Sequence, residues 1–486
     1  VSVKHTTDYA PLIDAVASAR VSHIAREVFH LLRKKVSPFF IIGQVGVPAA
    51  WGDTEGHPLC ALAAGGHIAD WMRSIPSSGE ADDDERRLIA TALPLTLALA
   101  LAAQAVHAGQ RAQVELPAPL FPANISHPQG MGGALREAVC AGQINRTQQL
   151  LLGYYATGTD YRSYLTNVYQ AITEHYTGDG HTLIFAHRSS QVLDMAGWAN
   201  KLPPFIFWLT PHLATSQPDA PFLSEVQAFL RDPAHDLKPL RTRLAPANNA
   251  AAGVSLRQTI LQGALEETCN AVLAALLNGA KPPAVGSVIA LAAARRFLNT
   301  AESDPAAVLR AAHGLLVASA ARTAVTQIQD VEALPILFIA AAAVNALRDV
   351  EQVETAKTSV PSARTGAGGL VGGILAPVLL RTLERQIESG DDQDAQASTR
   401  RYLQLGHPAR GLVATIASVA CQGDASADQG HVLLLAQAAA EEYLALPPQL
   451  QNEGEALLAV GVRVATHRSR ERHILEAVQE ASKQVD

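Results

Sequence analysis

The chain has 486 residues, 48% of them hydrophobic and only 17% charged, which excludes a disordered chain and exceeds what one simple core needs. A net charge of −7 with no basic run or stripe argues against nucleic acid as a partner. The four cysteines, Cys60, Cys140, Cys269 and Cys421, form no CxxC pair; they read as buried thiols of a reducing, cytoplasmic compartment and exclude iron–sulfur and c-type haem spacings.

The start, VSVKHTTDYAPLIDAV, places His and Asp too early for a signal peptide. Helical periodicity then runs along nearly the whole chain, as in LIDAVASARVSHIAREVFHLLRKKV, YRSYLTNVYQAITEHY, PAAVLRAAHGLLVASAARTAV and ILEAVQEASKQV. Ala and Leu dominate and no alternating strand pattern occurs, so the expected class is all-α. Between Arg87 and Arg111 lies an uncharged stretch long enough to cross a bilayer, LIATALPLTLALALAAQAVHAGQ. Pro94, Gln104 and His107 interrupt it, which favours a helix buried in a large helical protein over a membrane span. A segment rich in Pro, Asn and small residues, Arg231–Ser255, divides the chain near its middle. The expected organisation is two helical halves, residues 1–235 and 255–486, joined by a linker at 236–254 and sharing one interior. Residues 353–373, rich in Gly and Ser, read as a loop or lid, and residues 388–400 as an acidic surface loop.

One pattern recurs. A glycine precedes a histidine at His57, His181 and His431, and a leucine follows two residues later at Leu59, Leu183 and Leu433. A fourth segment, AVGSVIALAAARRFL, has a similar frame with Ser287 in place of the histidine. Four such helix starts, two on each side of the linker, suggest an internal duplication. Asp53 with Thr54, Asp179 and Asp428 stand where N-caps belong. A histidine in the first turn of a helix feels the positive end of the helix dipole, which keeps it neutral, and a neutral imidazole is the form that binds a metal.

Converging on a shared interior, His57, His181 and His431 form the expected metal site, with His313, His407 and His107 as candidates to complete it. Glu174 and Tyr176, in EHYTGDGH, are the candidate catalytic pair beside it, placed to position a phenolic substrate. The aromatic segment KLPPFIFWLTPH (Lys201–His212) reads either as a pocket wall or as core packing. HExxH, ExxH pairs, GxGxxG after a strand, Walker A and GxSxG are all absent.

The stretches GHPLCALAAGGHIADW and LGHPARGLVATIASVACQG resemble the questin oxidase-like family, through His57, Pro58 and Leu59 and through His407. That resemblance implies a large all-helical fold, oxidative cleavage of anthraquinone-type rings, and a non-haem iron held by several histidines, with a carboxylated lysine as a further ligand. The family's Asn-His-x-x-His signature is absent here, and no lysine matches a ligand position. The expected function is a metal-dependent oxidoreductase, an iron oxygenase acting with dioxygen on an apolar or aromatic small molecule; imidazole also suits zinc, copper and manganese. The second reading is a helical scaffold or small-molecule-binding protein without catalytic activity.

Overall fold

The structure is a computed structural model that describes residues 8–75, 81–214, 218, 220–242, 253–350, 372–424, 428–468 and 472–485. Among the described residues every regular element is a helix and no strand occurs. The all-α expectation holds for the reason given by composition: Ala- and Leu-rich segments bury their faces against other helices.

Four helices form the centre: His57–Arg73, Pro305–Ile328, His181–Ala196 and His431–Ala445. The His57 helix packs on the His181 helix, that on the Pro305–Ile328 helix, that on the His431 helix, and the last returns to the His57 helix. The result is a closed ring of four. Their sequences are apolar almost all round, with Leu59–Ala64 and Ala311–Ala321 buried without interruption, because other helices cover their outer faces too. Gly65 shows how close these layers come, since a Cβ there would lie 2.5 Å from the Ala98 methyl on the next helix outward.

The four helices run in the same direction. His57, His181 and His431 open three of them and stand together. About ten residues further along, Gln191 meets Glu441 and Arg322 meets both Glu441 and Glu442. At 1.5 Å per residue, these two levels are about 15 Å apart along the ring.

Two helices of the ring come from before residue 235 and two from after 255, so both parts of the chain build one interior. Val21–Arg33 and Ala81–Leu101 likewise pack on His473–Gln484. Most of the expected linker and most of the expected lid lie outside the described residues.

Several expectations are corrected. Ser287 does not open a helix: its helix begins at Pro282, and the Ser287 hydroxyl donates to the Pro283 carbonyl from inside it. Residues 392–404 are helical rather than loop, because Asp391 caps the first turn through the Asp394 N–H. Cys140 is exposed, while the other three cysteines are buried and all four are free thiols. The uncharged stretch is two helices, Asp82–Leu101 and Ala103–Arg111, bent by 52° at their break. That bent pair passes a length-and-composition test for a span, but no single described helix is long and apolar enough to cross a membrane. Within the pair, Ala92, Leu93, Leu95 and Leu97–Leu99 are buried in the protein.

Candidate metal centre

The same local device opens three of the ring helices. Gly56, Gly180 and Gly430 sit at the N-cap with φ of +91°, +85° and +84°, a region that side chains disfavour. Each turn delivers its histidine as the first helical residue. Carboxylates hold two of the turns. Asp53 accepts from the Glu55, Gly56 and Leu59 N–H groups and from the Trp208 indole N–H at 3.0 Å. Asp428 accepts from the Gly430 and Val432 N–H groups at 3.0 and 2.8 Å. Burial pushes the Asp53 carboxyl up, against the pull of those donors. Asp179 departs from the expected capping role: it adopts φ +41° and turns toward His313, while Thr177 and Thr182 pair through their hydroxyls.

His57, His181 and His431 bring one ring nitrogen each within 4.8 Å of the others, a group that could hold a metal ion. All three are half-buried. His313, two turns into its helix, is the fourth corner. Ring centroids are 5.3 Å apart for His57–His181, 4.5 Å for His181–His313, 5.1 Å for His313–His431 and 4.8 Å for His431–His57.

The hydrogen bonds bear on which nitrogens carry protons. His431 Nδ1 lies 2.7 Å from the Asp428 carbonyl oxygen. A carbonyl only accepts, so Nδ1 carries the proton and Nε2 presents a lone pair. His313 Nε2 lies 3.0 Å from that nitrogen and is placed to donate to its lone pair, while the His313 Nδ1 lies 3.9 Å from the Asp179 carboxylate, too far for a hydrogen bond. His313 in turn holds the Asp179 carboxyl below its usual range. His57 makes no hydrogen bond through either ring nitrogen. Burial, followed by the His431, His181 and His313 rings, pushes its imidazole down to about 3. Burial also lowers His431. His57 and His431 are thus neutral nitrogen donors, the state metal binding requires.

An apolar wall adjoins the cluster. Phe185, one turn after His181, has its ring 5.4 Å from His181 and 5.8 Å from His57. Behind it stand Trp208 and His212, with ring centroids 5.7 and 4.8 Å from Phe185. Of the aromatic segment, Trp208 reaches the site; Phe205 is buried in the core and Phe207 packs on Trp51.

The other site expectations fare differently. His107 is exposed, and His407 is buried against Tyr402; neither ring contacts the four clustered histidines. Glu174, of the candidate catalytic pair, is exposed and pairs with Arg136 at 2.9 Å. Tyr176 is buried against Phe222 with its hydroxyl close under Gly180, where it braces the turn that carries His181.

Sequence reading also missed a second polar layer inside the ring. Arg322 donates to Glu442 at 2.7 Å and to Glu441 at 3.2 Å, and Arg188 reaches Gln191. Burial alone would raise the Glu441 carboxyl, but Arg322, then His187, His67 and Arg188, hold it at about 2. Its sequence signal was faint: the pair Glu441-Glu442 stands in an otherwise apolar helix. No family model, curated protein or solved structure matches this chain.

Proposed function

We propose that the chain is a metal-dependent oxidoreductase, with a non-haem iron held by His57, His181 and His431 and with His313 as a further donor. The observation that carries this reading is the convergence of one ring nitrogen each from His57, His181 and His431 within 4.8 Å of one another, with both His57 nitrogens buried and making no hydrogen bond. Imidazole donors suit iron as well as zinc, copper and manganese.

The bound metal would supply redox and Lewis-acid chemistry. The chain's own residues do the rest. The Asp428 carbonyl orients the His431 imidazole from behind. An all-imidazole donor set leaves the ion's charge uncancelled, which favours an anionic oxygen as the next ligand. Phe185 and Trp208 keep water from one side and suit an apolar, aromatic substrate.

The test is elemental analysis of protein produced with iron supplied. Near-stoichiometric iron is expected, reduced at least tenfold by His57→Ala, His181→Ala or His431→Ala with helical circular dichroism retained. His107→Ala and His407→Ala should keep the metal. Full metal content in all three variants would refute the constellation, and metal-free wild-type protein would favour the scaffold reading.

A further inference from the structure

His57 and His431 are oriented in different ways. The His431 imidazole is fixed from behind by the Asp428 carbonyl, 2.7 Å from its Nδ1. Both His57 ring nitrogens are buried and make no hydrogen bond, so its aim comes from its backbone turn and from packing. One packing partner is Phe185, whose ring stands edge-on to His57 with centroids 5.8 Å apart. The turn is shaped by Asp53, a buried residue that closes the Pro38–Gly52 helix and precedes the His57 helix. Its N–H donates to the Ala49 carbonyl at 2.8 Å. Its Oδ1 accepts from the Glu55 and Gly56 N–H groups, both at 2.9 Å, and its Oδ2 from the Leu59 N–H at 3.3 Å. The fourth donor is the indole N–H of buried Trp208, 3.0 Å from Oδ2 and 155 residues away in the chain. Trp208 also packs on Phe185, with ring centroids 5.7 Å apart. One side chain therefore supports both things that aim His57: the carboxylate that shapes its turn and the ring it leans on.

We infer that Trp208 is a positioning residue for the metal ligand His57, acting through the Asp53 carboxylate. This rests on the metal reading, since a bound ion is what makes the aim of the imidazole matter. Groups that orient a metal-bound histidine ordinarily bond its second ring nitrogen. Here the orienting bond is made one step back, on the turn itself. Removing the indole N–H leaves Oδ2 buried with only the long bond from Leu59, a cost the turn can reduce by shifting. His57 is the first residue of its helix, so a shift of the turn swings its ring.

The probe is Co2+ alone, with affinity measured by chelator competition and the visible spectrum recorded on folded protein. Trp208→Phe is expected to weaken cobalt binding about tenfold, the lower end for loss of a group that orients a ligand, and to alter the ligand-field bands. In an Asp53→Asn background the same substitution should weaken it by no more than about twofold, because the two residues act as one unit. Gly197→Ala, which strains the far end of the His181 helix, is the control for lost stability and should leave affinity and spectrum unchanged. Replacing Trp208 by benzothienylalanine keeps the shape of the ring and removes only the N–H. It should reproduce the loss, and it decides alone if Trp208→Phe or Asp53→Asn does not fold. Wild-type affinity in the benzothienylalanine or Trp208→Phe protein, or equal losses in the two Asp53 backgrounds, overturns the inference and leaves the metal reading standing. Failure of the wild-type protein to bind cobalt overturns the metal reading, and this inference with it.

Discussion

At the scale of single residues, the site depends on backbone conformations that only glycine adopts cheaply. Gly180 and Gly197 both have positive φ, +85° and +90°, at the two ends of one helix. A Cβ on Gly180 would lie 2.1 Å from the Val317 methyl and 2.5 Å from the Tyr176 hydroxyl, whereas one on Gly197 would meet nothing within 4 Å. Gly197→Ala is therefore expected to cost about 1–2 kcal/mol, the conformational penalty alone. Gly180→Ala should cost clearly more, because Val317 or the turn must shift. Urea unfolding of the two variants checks this, and equal losses would show that contact at Gly180 is relieved freely. The glycine-before-histidine pattern was legible because a turn's chemistry lies in adjacent residues. The role of Asp179 was not, because its partner His313 is far along the chain.

At the scale of elements, the ring carries its neutral histidines at one level and its charges at another. Three helix N-termini converge at the histidines, a field that disfavours protonated imidazole. About three turns on, Arg322 is shared by two glutamates, and Glu442 is fully buried. Replacing Arg322 by Leu would leave two carboxylates without their main partner, and a loss of about 3–5 kcal/mol is expected. Replacing Arg322, Glu441 and Glu442 together by apolar residues should recover much of that loss. Thermal and urea unfolding of both variants measure it; a mild effect of Arg322→Leu alone would mean the glutamates find other partners or take up protons. The local pattern announced this layer only faintly, through the pair Glu441-Glu442, since Arg322 lies about 120 residues from its partners.

At the scale of the whole molecule, buried neutral histidines tie stability to pH. Burial, then Arg188 and Arg322, with Glu441 opposing and His67 adding slightly, puts His187 at about 3; burial alone puts His212 at about 4. Both lie below the ordinary value near 6.5, so between those limits the unfolded chain binds the extra protons. The stability these groups contribute is fully present above about pH 6.5 and is lost as pH falls, by up to about 1.4 kcal/mol per pH unit for each. Urea unfolding between pH 7.5 and 4.5 is expected to show this slope, made shallower in the double variant His187→Leu with His212→Phe. An unchanged slope would assign the acid sensitivity to other groups. The two parts of the chain should unfold together in such experiments, because each supplies two helices of one ring.

The sequence by itself determined the helical class and three of the four clustered histidines, because apolar periodicity and turn chemistry act over a few residues. It could not choose the fourth. Gly56-His57-Pro58 and Gly406-His407-Pro408 are the same tripeptide, and both glycines have positive φ, +91° and +76°. Locally they promise the same thing. Yet His57 opens a ring helix and meets His181 and His431, while His407 turns onto Tyr402. His313, with no glycine before it, completes the cluster from the interior of its helix. Which histidines meet was decided by the packing of helices far apart in the chain: a ring closes through contacts between whole helix faces, and no short stretch of sequence records which faces those are.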